Sequence, residues 1–180
     1  MVMAWQDRER EWKNLQAVQQ KLGEVSMIWA MIDRRLDMLI TDILDISHAE
    51  AAAVVSGMLP ARKCTILLRL IAIDSPRDEW RAEISDLLND VSGKFGEERN
   101  QLVHDSWRFE QDVIQRVDST AKLEKVAHKG KVLVFDKTYD VTIEDLKKWC
   151  ARGYTINHQI GELRPALLPW LLKRREQPSR

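Results

Sequence analysis

The sequence predicts a mainly α protein: an up-and-down bundle of four to five helices with a small β-hairpin or meander inserted before the last helix. Three observations predict it. An apolar ladder of Leu15, Val18, Leu22, Val25, Trp29, Ile32, Leu36, Leu39, Ile43 and Ile46 advances by alternating steps of three and four residues. That is the seam of a helix packed lengthwise in a bundle or coiled coil. Further helical stripes run from about residue 47 to residue 104 and again beyond residue 142. Between about residues 107 and 141 the pattern shifts to short β-rich runs with Gly130 between two of them, the signature of a hairpin. The 180 residues are read as one helical domain carrying a β-rich insertion at about 107–141.

The first helix is broken by nothing except Gly23, which weakens it locally. Its remaining faces carry Arg8, Glu9, Arg10, Glu11, Lys13, Lys21, Glu24, Asp33, Arg34, Arg35 and Asp37, read as a solvated surface. Ser47-His48-Ala49-Glu50 fits a capping box and opens a second helix. Pro60 interrupts that run. A helix from about Ala61 to Ile73 follows, with apolar positions nearly all round, and is expected to be the most buried. Ser75-Pro76 opens the third long helix, with Asp78 and Glu79 suited to its positive end. Its stripe is Trp80, Ile84, Leu87, Val91, Phe95 and Leu102, and Gly93 and Gly96 mark a kink or break. Two or three short strands are expected between about 107 and 141. Thr142-Ile143-Glu144-Asp145 then caps the last helix, whose apolar positions include Leu146, Trp149, Cys150, Tyr154, Ile160, Leu163, Leu167 and Leu168. Pro165 and Pro169 disturb its end.

Composition excludes several classes. Apolar residues make up 44% and charged residues 31%, a balance that folds instead of remaining disordered. Basic and acidic residues balance at 28 each, so a general nucleic-acid coat is excluded and any such contact must be a local site. The two cysteines, Cys64 and Cys150, lie in apolar helical patterns with no CxxC. They read as reduced core thiols and suit a reducing, cytoplasmic setting. Met1 to Arg8 turns charged at once and offers no apolar signal region. The stretch Ile66 to Ile73, broken by Arg69, is too short for a membrane span.

The chemistry-bearing segment is Arg99-Asn100-Gln101-Leu102-Val103-His104, near the end of the third long helix. A straight helix turns by about 100° per residue, so Asn100 and His104 share a face while Arg99 and His104 stand about 140° apart. Those two converge only if the helix ends or bends near His104, or if the long Arg side chain reaches round. Arginine offers a planar fork of donors that fits a phosphate and stays charged. Histidine accepts and releases protons near neutral pH. Asparagine orients a ring nitrogen or a phosphate oxygen. Together they suffice for metal-free RNA cleavage by a ribose 2′-OH, leaving a 2′,3′-cyclic phosphate and a 5′-OH. DNA, which lacks that hydroxyl, is refused.

The run Glu98-Arg99-Asn100-Gln101-Leu102-Val103-His104-Asp105-Ser106-Trp107 resembles the signature of the HEPN superfamily. Its hallmark is Arg, four to six residues and then His, commonly with a polar residue such as Asn after the Arg. The resemblance implies an all-α up-and-down bundle with the motif near the end of a late helix. It implies that Arg99 and His104 are catalytic and Asn100 supportive, with no cofactor and no metal. Many members are ribonucleases or toxins of toxin–antitoxin and antiviral systems, and active ones pair so that two motifs face one cleft. The expected partners are therefore a second copy of the chain, RNA as substrate and an antitoxin or regulatory protein, with no membrane. Strands at 107–141 are not part of the minimal family bundle. Some members are inactive and serve as interaction or nucleotide-binding modules, so a non-catalytic helical dimerisation module or a nucleotide-binding regulator is the alternative.

Each signal has a structural reading beside the functional one. Arg99 and His104 also suit a helix C-terminus, as a cation beside the dipole and a cap on the carbonyls. Glu97 and Glu98 read as solvated charges. Asp105 follows His104 directly and so faces away from it on a helix. Trp107 offers a ring for base stacking, with core packing the expected role. Arg62, Lys63 and Arg69 are candidate phosphate contacts, or snorkelling surface cations. His48, His128 and His158 lack close ligand spacing. The tail Lys173-Arg174-Arg175 is either an RNA contact or simply solvated.

Overall fold

The structure, a computed structural model, describes residues 5–74, 78–110, 113–118, 122–126, 130–134 and 137–175. It is mainly helical, with a small antiparallel sheet before the last helix. The described helices are α1 (Trp5–Leu44), α2 (His48–Val55), α3 (Pro60–Asp74), α4 (Asp78–Ser92), α5 (Lys94–His104) and α6 (Ile143–Arg175). The described strands are β1 (Ser106–Glu110), β2 (Val113–Asp118), β3 (Lys122–Val126), β4 (Gly130–Val134) and β5 (Lys137–Asp140). Every helical segment expected from the sequence is present, the third long one divided at Gly93 into α4 and α5. The β segment holds five described strands where two or three were expected. Readings placed on Ser75, Pro76, His128 and the tail beyond Arg175 lie outside the described residues. Among the described residues no single helix is long and apolar enough to cross a membrane.

Two compact units divide the chain: Met1–Ser26 with Arg99–Ala151, and Met27–Glu98 with Arg152–Arg180. In the second, the ladder of α1 buries Ile32, Leu36, Leu39 and Ile43, and Ile28 and Ile40 join it from beside the seam. α1 stops where Asp45 turns left-handed at φ 54° and the Ile46 N–H reaches the Thr41 carbonyl at 3.4 Å, a left-handed C-terminal cap. The capping box forms as expected: the Glu50 carboxylate accepts from the Ser47 N–H at 2.8 Å and the Ser47 hydroxyl accepts from the Glu50 N–H at 3.3 Å. α3 is not buried all round. It covers one stripe, Lys63, Cys64, Leu67 and Ile71, and leaves Ile73 79% exposed. α6 buries Ile156, Asn157, Ile160, Leu167 and Leu171, whereas Tyr154 and Leu168 face outward. It continues through Pro165 and Pro169, each of which deletes one helical hydrogen bond.

The charged face of α1 is not simply solvated. Arg35 Nε donates to Asn157 Oδ1 at 2.8 Å, Arg164 Nε to Asp42 at 2.6 Å, and Lys63 Nζ lies 2.7 Å from both Asp33 and Asp37. Burial pushes the Lys63 ammonium down, but the two carboxylates outweigh it and hold the group above the ordinary lysine value. Next to it, burial pushes the Cys64 thiol up to about 12, and burial raises Cys150 as well. Native protein at neutral pH should therefore leave both thiols unlabelled by an aromatic disulfide reagent, and denaturant should release both. Rapid labelling of the folded chain would contradict this burial. The folded Cys64 value is raised, so its contribution to stability is full below the ordinary 9.0 and is lost as pH rises towards about 12.

Two glycines make opposite predictions. At Gly96 an added Cβ would stand 2.7 Å from the Val91 carbonyl oxygen and 3.3 Å from the Trp29 ring. The first neighbour is backbone and cannot swing away, so Gly96→Ala should cost about 1–3 kcal/mol in denaturant unfolding. At Gly23, inside α1, a Cβ would meet nothing within 4 Å. Gly23→Ala should stabilise by about 0.5–1 kcal/mol, because alanine restricts the unfolded backbone more than glycine does. A loss of stability there would refute the open space.

The first unit gathers around Val18, Ile114 and Leu146, with Leu22, Leu102, Trp107, Phe109, Val141 and Ile143 packed against them. β1, β2 and β5 form one antiparallel sheet in the order β1-β2-β5, and β3 with β4 forms a separate hairpin. Pairing of Trp107 with Arg116 and Phe109 with Ile114 puts these four on one face of the sheet. α6 starts with the expected cap: the Thr142 hydroxyl accepts from the Asp145 N–H at 3.1 Å, and Asp145 accepts from the Thr142 N–H at 3.0 Å.

Candidate functional site

α5 is an 11-residue helix that ends at His104, and β1 begins two residues later. The ending anticipated near His104 is therefore present. The reason is local: Asp105 still donates its N–H to the Gln101 carbonyl at 3.1 Å, but from Ser106 the chain pairs with β2.

In each unit one arginine engages that unit's own part of this helix. In the second, Arg152 of α6 reaches Asp90 at 2.6 Å and Glu98 at 3.0 Å, with its guanidinium 5.4 Å from the Phe95 ring centroid. Glu98 is thus engaged in an ion pair instead of being simply solvated. In the first unit, Arg116 of β2 donates to Gln101 Oε1 at 2.8 Å and to Asp105 Oδ2 at 3.0 Å. Both members of the Arg116–Asp105 pair are nearly covered, with side chains 12% and 11% exposed. Asp105 accordingly serves Arg116. The Trp107 indole packs in the core cluster and donates to the Leu102 carbonyl at 3.1 Å, the structural role expected of it.

The three candidate residues all belong to the first unit. His104 and Asn100 are exposed and Arg99 is half-buried. The Arg99 guanidinium donates through Nη1 to Asn100 Oδ1 at 3.1 Å. This bond ties the guanidinium to the neighbouring side chain. Asn100 and His104, four apart, lie on nearly the same face, about 40° from each other, while Arg99 stands about 140° from His104. Burial lowers the Arg99 proton affinity from the ordinary arginine value, yet a guanidinium remains charged at neutral pH. Among the described residues the His104 ring has no hydrogen-bond or ion-pair partner. The arrangement offers a half-buried cation bonded to Asn100 and an exposed imidazole on the last two turns of one helix.

Lys63 does not serve as a phosphate contact. It is 3% exposed and belongs to its ion pairs with Asp33 and Asp37. Arg62 and Arg69 are exposed on α3, in the other unit. Among the described residues no three His, Cys, Asp or Glu side chains converge as a metal site requires. Sequence reasoning missed Arg116 and Tyr139, whose ring lies 4.6 Å from the Arg116 guanidinium. A signal existed for Arg116: it stands two residues from Ile114 and so shares the inward face of its strand, and an arginine there requires an acidic partner.

No protein-family model, curated protein or solved structure matches the chain.

Proposed function

We propose that this chain is a metal-independent endoribonuclease of the HEPN type, working as a homodimer. The single observation that supports this most is the Arg99–Asn100 hydrogen bond, which ties a guanidinium to a side chain standing about 40° round the helix from the exposed His104. In the reaction the O2′–phosphorus bond forms and the phosphorus–O5′ bond breaks. The 2′-OH proton passes to the His104 imidazole, and O5′ takes up a proton, which a second copy of the motif in the homodimer can deliver. Arg99 offsets charge on the phosphoryl oxygens. Asn100 holds Arg99 in place. A toxin or defence role, held in check by an antitoxin or regulatory protein, fits such an activity.

The test is cleavage of total cellular RNA in EDTA by the full chain, with the product ends characterised. Cyclic phosphate and 5′-OH ends support the reading. Products with 5′-phosphate ends, or activity that vanishes in EDTA, would overturn it.

The second reading is a non-catalytic interaction module. It draws on Met27 and Met31, four apart on one side of α1 and 50% and 38% exposed, as a patch for a partner helix. Unchanged RNA together with loss of a partner complex in Met27→Glu would favour it.

A further inference from the structure

Arg116 does more than clamp the end of α5. Its Nη1 donates to both Gln101 and Asp105, at 2.8 Å and 3.0 Å, while the guanidinium carbon lies over the Tyr139 ring, 4.6 Å from its centroid. Gln101 lies three residues before His104 in the last turn of the helix, and Asp105 follows His104 directly. One nearly covered cation therefore touches both an aromatic ring and two residues of the segment that carries the candidate proton acceptor. Tyr139 is 40% exposed and lies on β5, at the edge of the sheet, where Lys137 to Asp140 all face solvent. It pairs directly across from Arg116 in the strand register. A large ring half-open to water, stacked on a fixed planar cation, is preorganised without being a core residue.

We infer that Tyr139 is a stacking subsite for one unpaired nucleobase of single-stranded RNA beside the cleavage site, an assignment that rests on the ribonuclease reading for its substrate. The chemistry favours a single strand, since a base within a duplex already has both faces stacked. It favours sequence tolerance, because every base presents a π-face to an aromatic ring. Arg116 supports the ring from beneath and is a positioning residue in this subsite. Trp107, the ring that the sequence suggested for stacking, is occupied in the core.

The test uses the full chain in the His104→Ala background, so that RNA is bound without being cut. A fluorescein-labelled ten-nucleotide single-stranded RNA is the probe. Adding Tyr139→Ala should weaken its binding about 5- to 50-fold, and Tyr139→Phe should stay within about 2-fold of the parent. Probes with one abasic position, moved along the strand, should include one that loses a similar factor with Tyr139 present and almost nothing with Tyr139→Ala. Unchanged affinity in Tyr139→Ala, or an abasic penalty that persists without the ring, overturns the subsite. Absence of any RNA binding overturns it as well. His104-dependent cleavage combined with unchanged Tyr139→Ala binding leaves the ribonuclease standing and removes the subsite. Tyr139-dependent binding without cleavage by the His104-containing chain does the reverse.

Discussion

His104→Ala should lower the rate of RNA cleavage by about 10²–10⁴-fold, the range that a positioned general acid or base contributes. The fold should not notice the change, since the ring is exposed and bonded to nothing among the described residues. Thermal unfolding of His104→Ala within about 1 °C of wild type would therefore separate chemistry from stability. Arg99→Ala should cost a comparable factor by removing the phosphate fork. Arg99→Lys should recover little of it, because an ammonium cannot make the planar, two-pronged contact. Asn100→Ala should be milder, about 10-fold or less, since the asparagine acts by steering Arg99 at 3.1 Å. If all three variants cleave RNA as well as wild type, the proposed mechanism is wrong. If His104→Ala alone is silent while Arg99→Ala is not, the arginine belongs to RNA binding and the proton acceptor lies elsewhere.

The helices were legible because their cause is periodic. The ladder from Leu15 to Ile46 names most of the buried stripe of α1, and Ser47 and Thr142 mark helix starts through side chains that satisfy nearby backbone groups. Such signals are local, and so survive in a linear reading. Charge was misread where its partner is distant in sequence. Asp33 and Asp37 look like solvent charges until α3 brings Lys63 to them, and Glu98 looks free until α6 brings Arg152. The same limit governed the candidate site. Arg99, Asn100 and His104 were visible as a cluster within six residues, whereas Arg116 meets Gln101 and Asp105, and Tyr139 meets Arg116, only through strand pairing. Helical angles alone left Arg99 and His104 apart. The side-chain bond from Arg99 to Asn100 is a contact that helical angles alone do not give.

The largest effect on stability should come from Lys63. Replacing it with methionine keeps an apolar stem of similar length and deletes the charge that Asp33 and Asp37 share. Two partly exposed carboxylates would then lose the buried ammonium between them, and breaking a buried ion pair on one side costs about 3–5 kcal/mol. Asp33 and Asp37 retain 34% and 23% side-chain exposure, which lets water repay part of that loss, so Lys63→Met should fall at the lower end, about 3 kcal/mol. The cause is electrostatic rather than steric, and two measurements distinguish them. Acid should narrow the gap between variant and wild type, because protonating the carboxylates removes their repulsion in the variant. Adding Asp33→Asn and Asp37→Asn should recover a large share of the lost stability, since neutral amides no longer need the ammonium. In wild type the sign runs the other way at high pH. The folded Lys63 value is raised, so its contribution is complete below the ordinary lysine value of 10.5 and disappears as pH climbs through the folded one. Lys63→Met should therefore show a flatter decline of unfolding free energy above about pH 10. A variant that loses 3 kcal/mol at every pH and is not rescued by the paired Asp→Asn changes would mean that Lys63 fills space, and that its ion pairs contribute nothing net.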